Sequence, residues 1–181
     1  METSCILADE LSCKAPSEVV TKDFEYSPVG STQLAAGETL SSVGTPVPAV
    51  FPTGDANDVV INSSAVSGTV LQLNLSKGRT PLSFTATAAD EKLAMAAHGL
   101  PADARVRLLG RSLPRGVKED TSYFVIVFDT NTIQLATEAG GDVIPLVGDG
   151  SGLVVILYRL TVYAVTSLSQ TLGVQGLMEV K

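Results

Sequence analysis

From Thr69 to Leu75 apolar and polar residues alternate, with Leu71, Leu73 and Leu75 in step. A period of two places those leucines on one face of a β-strand. Arg105 to Leu109 alternates in the same way, so Arg105 and Arg107 share a strand face. Val59-Val60-Ile61 is a short β-branched run, followed by the turn formers Asn62, Ser63 and Ser64. Tyr123 to Phe128 is an unbroken run of β-formers, the pattern of a strand buried on both faces. Asp129-Thr130-Asn131 then turns the chain into Thr132 to Ala136, which predicts a hairpin. Leu153 to Val165 is the longest apolar β stretch, and Thr171 to Val180 supplies a last strand interrupted by Gly173 and Gly176.

Glycine and proline separate these runs at Gly44 to Pro48, Pro52 to Gly54, Gly140-Gly141 and Gly148 to Gly152. Short strands with such punctuation predict an all-β fold, an antiparallel sandwich or barrel. Ala88 to His98 is Ala-rich and fits a helix, while Lys92 to Ala97 fits a strand leading into a turn equally well. Residues 1–20 stand apart. Ile6, Leu7 and Leu11 make one face of a short helix capped by Thr3 or Ser4 and stopped by Pro16. An arm that docks on a neighbouring subunit and a disordered terminus fit the same residues.

The 181 residues are 45% apolar, enough for a core, and only 17% charged. A net charge of -7 leaves no electrostatic footprint for a phosphate backbone, so no nucleic acid partner is expected. No wholly apolar run is longer than Leu153 to Tyr158, far below the roughly 20 residues of a membrane helix, and no membrane association is expected. The first residues lack a basic region, and Asp9 and Glu10 interrupt any apolar stretch, which predicts folding in a cytoplasm. Cys5 and Cys13 can bond to each other, bind metal or stay free. One distant His leaves a zinc site short of ligands, and without an export signal reduced thiols are the default.

Catalytic constellations are sparse. A hydrolytic triad needs a base, and His98 is the single histidine; before Gly99-Leu100-Pro101 it reads as a turn residue. Asp90-Glu91 and Glu119-Asp120 are paired carboxylates, the equipment of a glycosidase, but both pairs flank turns and read as solvated. Asp142 and Asp149 offer calcium a poor cage, and Asp55 and Asp58 read as a solvated turn. Gly148 to Gly152 lacks the Lys and helix of a phosphate loop. No enzyme activity, cofactor or metal is expected. Lys14, Lys22 and a cluster at Arg105, Arg107, Arg111, Arg115 and Lys118 hold over half of the 12 basic residues, the cluster as a solvated sheet face or a contact for an acidic subunit.

Two stretches resemble known families. Lys14 to Val20, Asp23-Phe24 and Leu34 to Ser42, with Tyr158 to Val165 and Gln170 to Leu172, resemble the opening and closing strands of small immunoglobulin-like proteins encoded among the structural genes of tailed bacteriophages. Tyr26 to Gly30 stands where those proteins carry a Trp-rich strand. Within 90–155, His98 to Pro101, Val106 to Leu108, Leu113 to Val117, Thr121 to Ile126, Asn131 to Ala136 and Gly148 to Gly152 resemble a β module that recurs in phage tail and fibre proteins. The resemblances imply an N-terminal arm at 1–20, an immunoglobulin-like sandwich from 21–86 plus 155–181, and a small β domain inserted at 87–154. They imply a non-enzymatic virion protein, either a capsid decoration or cement protein or a tail or fibre component. The expected partners are the major capsid protein or other virion subunits and further copies of the chain, as a trimer. Ile6, Leu7, Leu11, Arg105 and Arg107 are the expected contact residues.

Overall fold

A computed structural model describes residues 5–14, 17–26, 34–50, 59–87, 90–119 and 121–180. Among these the secondary structure is entirely β, with antiparallel pairing throughout the registers that follow. The chain forms two compact units.

The first unit holds β1 (Cys5–Lys14), β2 (Val20–Glu25), β3 (Leu40–Val43), β4 (Val47–Val50, as far as Ala49), β5 (Val59–Ser67) and β6 (Val70–Lys77). It also takes β12 (Gly150–Thr166) from Tyr158 onward and β13 (Thr171–Val180) as far as Met178. β6 lies between β2 and β5 in a three-stranded sheet. A second group runs β1-β13-β12, with β3 and β4 also paired to β12. Sheets with one buried face are consistent with a sandwich. Leu71, Leu73 and Leu75 are fully buried, as their alternation requires, together with Tyr26, Tyr158, Val162 and Met178. The Tyr158 hydroxyl accepts the Arg79 N–H at 3.2 Å, which satisfies the polar end of a buried ring.

Several expectations change here. Residues 5–14 form an extended strand paired to β13, so the helical face of Ile6, Leu7 and Leu11 does not exist. Strand pairing satisfies every second backbone group of a segment too short to hold a helix alone. The side chains of Ile6, Leu7 and Leu11 lie outside the described residues. Asn62, Ser63 and Ser64 do not turn the chain; they continue β5, with a bulge between Ile61 and Ser63. Their polar groups are used across the sheet: Asn62 Nδ2 donates to Asn74 Oδ1 at 2.8 Å, and Ser76 Oγ donates to Asn62 Oδ1 at 3.0 Å. Pro48 lies inside β4 rather than between strands, and Gly173 and Gly176 leave β13 unbroken.

The turn before β3 is held by a buried carboxylate. The Ala35 N–H donates to Glu38 Oε2 at 2.7 Å, and the Glu38 N–H returns to the Ala35 carbonyl at 2.9 Å. Hydrogen bonds from Thr166 first, then from the Ala35 and Leu168 backbone, hold the Glu38 carboxyl below its ordinary value of 4.5. A depressed folded-state pKa stabilises the fold above the ordinary value, and that stability is lost as pH falls through the folded value. Acid titration of stability should therefore show a loss below pH 4.5 that is smaller in Glu38→Gln. An unchanged acid limb in that variant would remove Glu38 from this role.

The second unit spans Thr80–Leu157. It holds β7 (Leu82–Thr87), β8 (Lys92–Ala94), β9 (Arg105–Ser112), β10 (Ser122–Asp129), β11 (Thr132–Ala136) and the first part of β12. The pairings run β12-β7-β8-β11-β10-β9 and return to β12, which closes a six-stranded barrel. β9, β10 and β11 form a meander, and β8 and β12 flank it through longer connections, a Greek-key arrangement on both sides. Closure leaves no free edge. Phe84, Leu93, Val106, Leu108, Tyr123, Val125, Ile133, Leu135, Val154 and Ile156 are buried in this unit.

Ala88 to His98 contains no helix among its described residues; the segment turns at Asp90-Glu91 and enters β8. β10 is not buried on both faces: Tyr123 and Val125 are buried, while Phe124 and Ile126 are half-buried and Phe128 is exposed. A barrel has one interior, so one face of each strand is left outside it. The compact units change over at Arg79/Thr80 and Leu157/Tyr158. β7 belongs to the second unit through its pairing with β8 and with the first part of β12.

Candidate functional site

The hairpin β10–β11 and its neighbours β8 and β9 carry Lys92, Arg105, Arg107, Phe124 and Phe128 at positions that are exposed or half-buried. Strand alternation points Arg105 and Arg107 outward, opposite the buried Val106 and Leu108. The register sets Arg105 opposite Phe124 and Arg107 opposite Ser122. The Arg105 guanidinium lies 5.9 Å from the centre of the Phe124 ring, within cation–π range. The predicted shared face of the two arginines is thus formed. Ile6, Leu7 and Leu11 belong to β1 in the first unit and are not described at side-chain level.

At the other end of β10, the Lys92 ammonium sits 3.3 Å from the centre of the Phe128 ring. Phe128 is 56% exposed. The exterior of β10 is a stripe of Phe124, Ile126 and Phe128 with a cation against each terminal ring. Sequence pattern alone missed the stripe. A signal was present in β11, because Gln134 and Thr132 alternate with Ile133 and Leu135, and Gln134 lies opposite Ile126. A polar partner across the ladder identifies the open face.

The turn closing this hairpin is firmly held. Asp129 Oδ1 accepts the Asn131 N–H at 2.7 Å. That bond first, then the Thr132 hydroxyl and the nearby Lys92 charge, keep the Asp129 carboxyl below its ordinary value of 3.8. Asn131 also binds the segment before β9: its Oδ1 accepts the Ala97 N–H at 2.9 Å and its carbonyl accepts the Met95 N–H at 2.7 Å.

His98 completes the same seam. It is only 2% exposed. Its Nδ1 accepts the Leu100 N–H at 3.0 Å, which assigns the ring proton to Nε2, and Nε2 donates to the Asp129 carbonyl at 2.7 Å. Both ring nitrogens are committed to the backbone, leaving neither a lone pair nor a proton aimed at a substrate. The carboxylates divide similarly. Asp90 Oδ2 accepts the Thr87 hydroxyl at 2.9 Å, and Glu119 Oε1 accepts the Gly110 N–H at 2.7 Å. Asp120 lies outside the described residues. Among the described residues no three His, Cys, Asp or Glu side chains converge to hold a metal ion, and no helix is long and apolar enough to cross a membrane.

Comparison with protein-family models, curated proteins and solved structures returned no match.

Proposed function

We propose that this chain is a non-enzymatic structural protein of a tailed-bacteriophage virion, a decoration or cement protein that binds and stabilises the head. The observation that carries the proposal is the barrel exterior, where Arg105 and Arg107 adjoin the stripe of Phe124, Ile126 and Phe128. In a chain of net charge -7, so local a grouping of cations and rings suits a partner with an acidic, partly apolar surface. Aromatic and arginine side chains are the residue types that anchor protein interfaces. The resemblance of the first unit's strands to immunoglobulin-like phage proteins supports the virion setting, with the second unit as an inserted module. Binding only to the assembled shell stabilises that shell by mass action. A homotrimer bound to the major capsid protein in a particle assembled in the host cytoplasm is the corresponding arrangement. The commitment of His98 to backbone groups supports the absence of catalysis.

A tail or fibre component is the second reading, favoured by the resemblance of the 98–152 segments to the tail and fibre module. Stoichiometry separates the two. Quantified gels of purified virions should show many copies of a decoration protein, and a low copy number would reject cementing. Charge reversal at Arg105→Glu with Arg107→Glu should weaken sedimentation with purified heads by about tenfold or more, roughly 1.4 kcal/mol per tenfold. Undiminished binding by that variant, correctly folded, would exclude this face as the contact.

A further inference from the structure

On the barrel exterior, β7, β8 and β11 surround a cavity of about 310 Å³, lined by Thr85, Thr87, Asp90, Lys92, Asp129 and Thr132. Register explains its form. Ala94 pairs with Thr85 on one side and Thr132 on the other, so the row Thr85-Ala94-Thr132 has a methyl group between two hydroxyl-bearing residues. The next row pairs Thr87 with Lys92. A small residue flanked by larger ones leaves a depression, and the turns carrying Asp90 and Asp129 wall it.

We propose that this depression is a binding site for a neutral polyhydroxyl ligand, a single sugar residue. The charges exclude the alternatives. Two carboxylates oppose a phosphate or carboxylate ligand, and the Lys92 ammonium opposes a metal cation beside them. A neutral polyol meets neither objection. Its hydroxyls donate to Asp90 and Asp129 and accept from Lys92, the Thr87 hydroxyl, which donates to Asp90, remains an acceptor, and the Thr85 hydroxyl serves in either direction. The Asp129 carboxyl, already held ionised by the Asn131 N–H, is a fixed acceptor that needs no reorganisation on binding. Phe128, more than half exposed, lies against Lys92 and so adjoins the cavity through that side chain. The volume lies at the lower end of the range of small-ligand sites, about 300–1,000 Å³.

The test is titration of the full chain with glucose, galactose, mannose, N-acetylglucosamine and N-acetylgalactosamine, followed through backbone amide NMR shifts. At least one sugar should produce shifts that saturate at millimolar concentration and are confined to Thr85, Thr87, Asp90, Lys92, Ala94, Asp129 and Thr132. Ala94→Phe, which fills the depression on an exposed face, and Lys92→Gln should each abolish those shifts while leaving the remaining amides in place. Retention on beads carrying the same sugar, compared with the free sugar, separates a displayed glycan from a dissolved solute. Absence of saturable shifts with every sugar would overturn the proposal. Shifts of the same amides by calcium chloride or inorganic phosphate instead would overturn it too, as would sugar binding that survives in correctly folded Ala94→Phe.

Discussion

Gly152→Val should abolish cooperative folding of the second unit. Gly152 lies where β12 passes between β7 and β9, opposite Phe84 and beside a bulge in the β9 pairing. A Cβ there would run into the Leu109 carbonyl and come within 2.9 Å of the Phe84 ring. The carbonyl belongs to a hydrogen-bonded strand of a closed barrel, so it cannot move aside without breaking the ladder that closes it. Overpacking of an ordinary core costs about 1–3 kcal/mol. Here the obstacle is backbone, so a loss above about 4 kcal/mol is expected, the range reserved for a named structural failure. Ser151→Ala, one residue away and exposed, should change stability by less than about 0.5 kcal/mol. Urea denaturation of both variants checks the contrast. A Gly152→Val protein with near-normal stability would mean that the β7–β12–β9 approach is looser than described.

His98→Phe should destabilise the second unit by about 2–6 kcal/mol, because it deprives two backbone groups of partners at about 1–3 kcal/mol each. The substitution approximately keeps the buried volume and ring, so cavity formation contributes little. What is lost is the acceptor for the Leu100 N–H and the donor to the Asp129 carbonyl. Hydrogen exchange should show the damage first at Ala97, Leu100 and Asn131, which share the seam between the β8–β9 connection and the β10–β11 turn. A stability change below about 0.5 kcal/mol would assign His98 no structural weight and reopen the question of its chemistry.

Period-two patterning identified the buried leucines of β6, the outward arginines of β9 and the β10–β11 hairpin, because strand geometry alone fixes which residues share a face. The exposure of the second face does not follow from the strand itself. Tyr123 to Phe128 reads as apolar throughout, and only the polar residues of β11 show which side remains open. Asn62, Ser63 and Ser64 have turn chemistry in isolation, yet Asn74 and Ser76 on the neighbouring strand accommodate Asn62 inside a sheet. The glycines at 148–152 resemble loop punctuation, although Gly150 already opens β12 and Gly152 is required by close strand passage. The candidate sugar site depends even more on distant pairing, since Thr85, Ala94 and Thr132 become neighbours only through barrel register.

The sequence by itself determined an all-β chain, the buried face of β6, the shared arginine face of β9 and the β10–β11 turn, since these depend on residues a few positions apart. Only the tertiary structure decided that six strands close on themselves, that β1 is a strand, and that His98 and Asp129 lock a seam. Those outcomes depend on which strand lies alongside which, and pairing partners far apart in the chain are selected by burial and hydrogen bonding together rather than by local pattern.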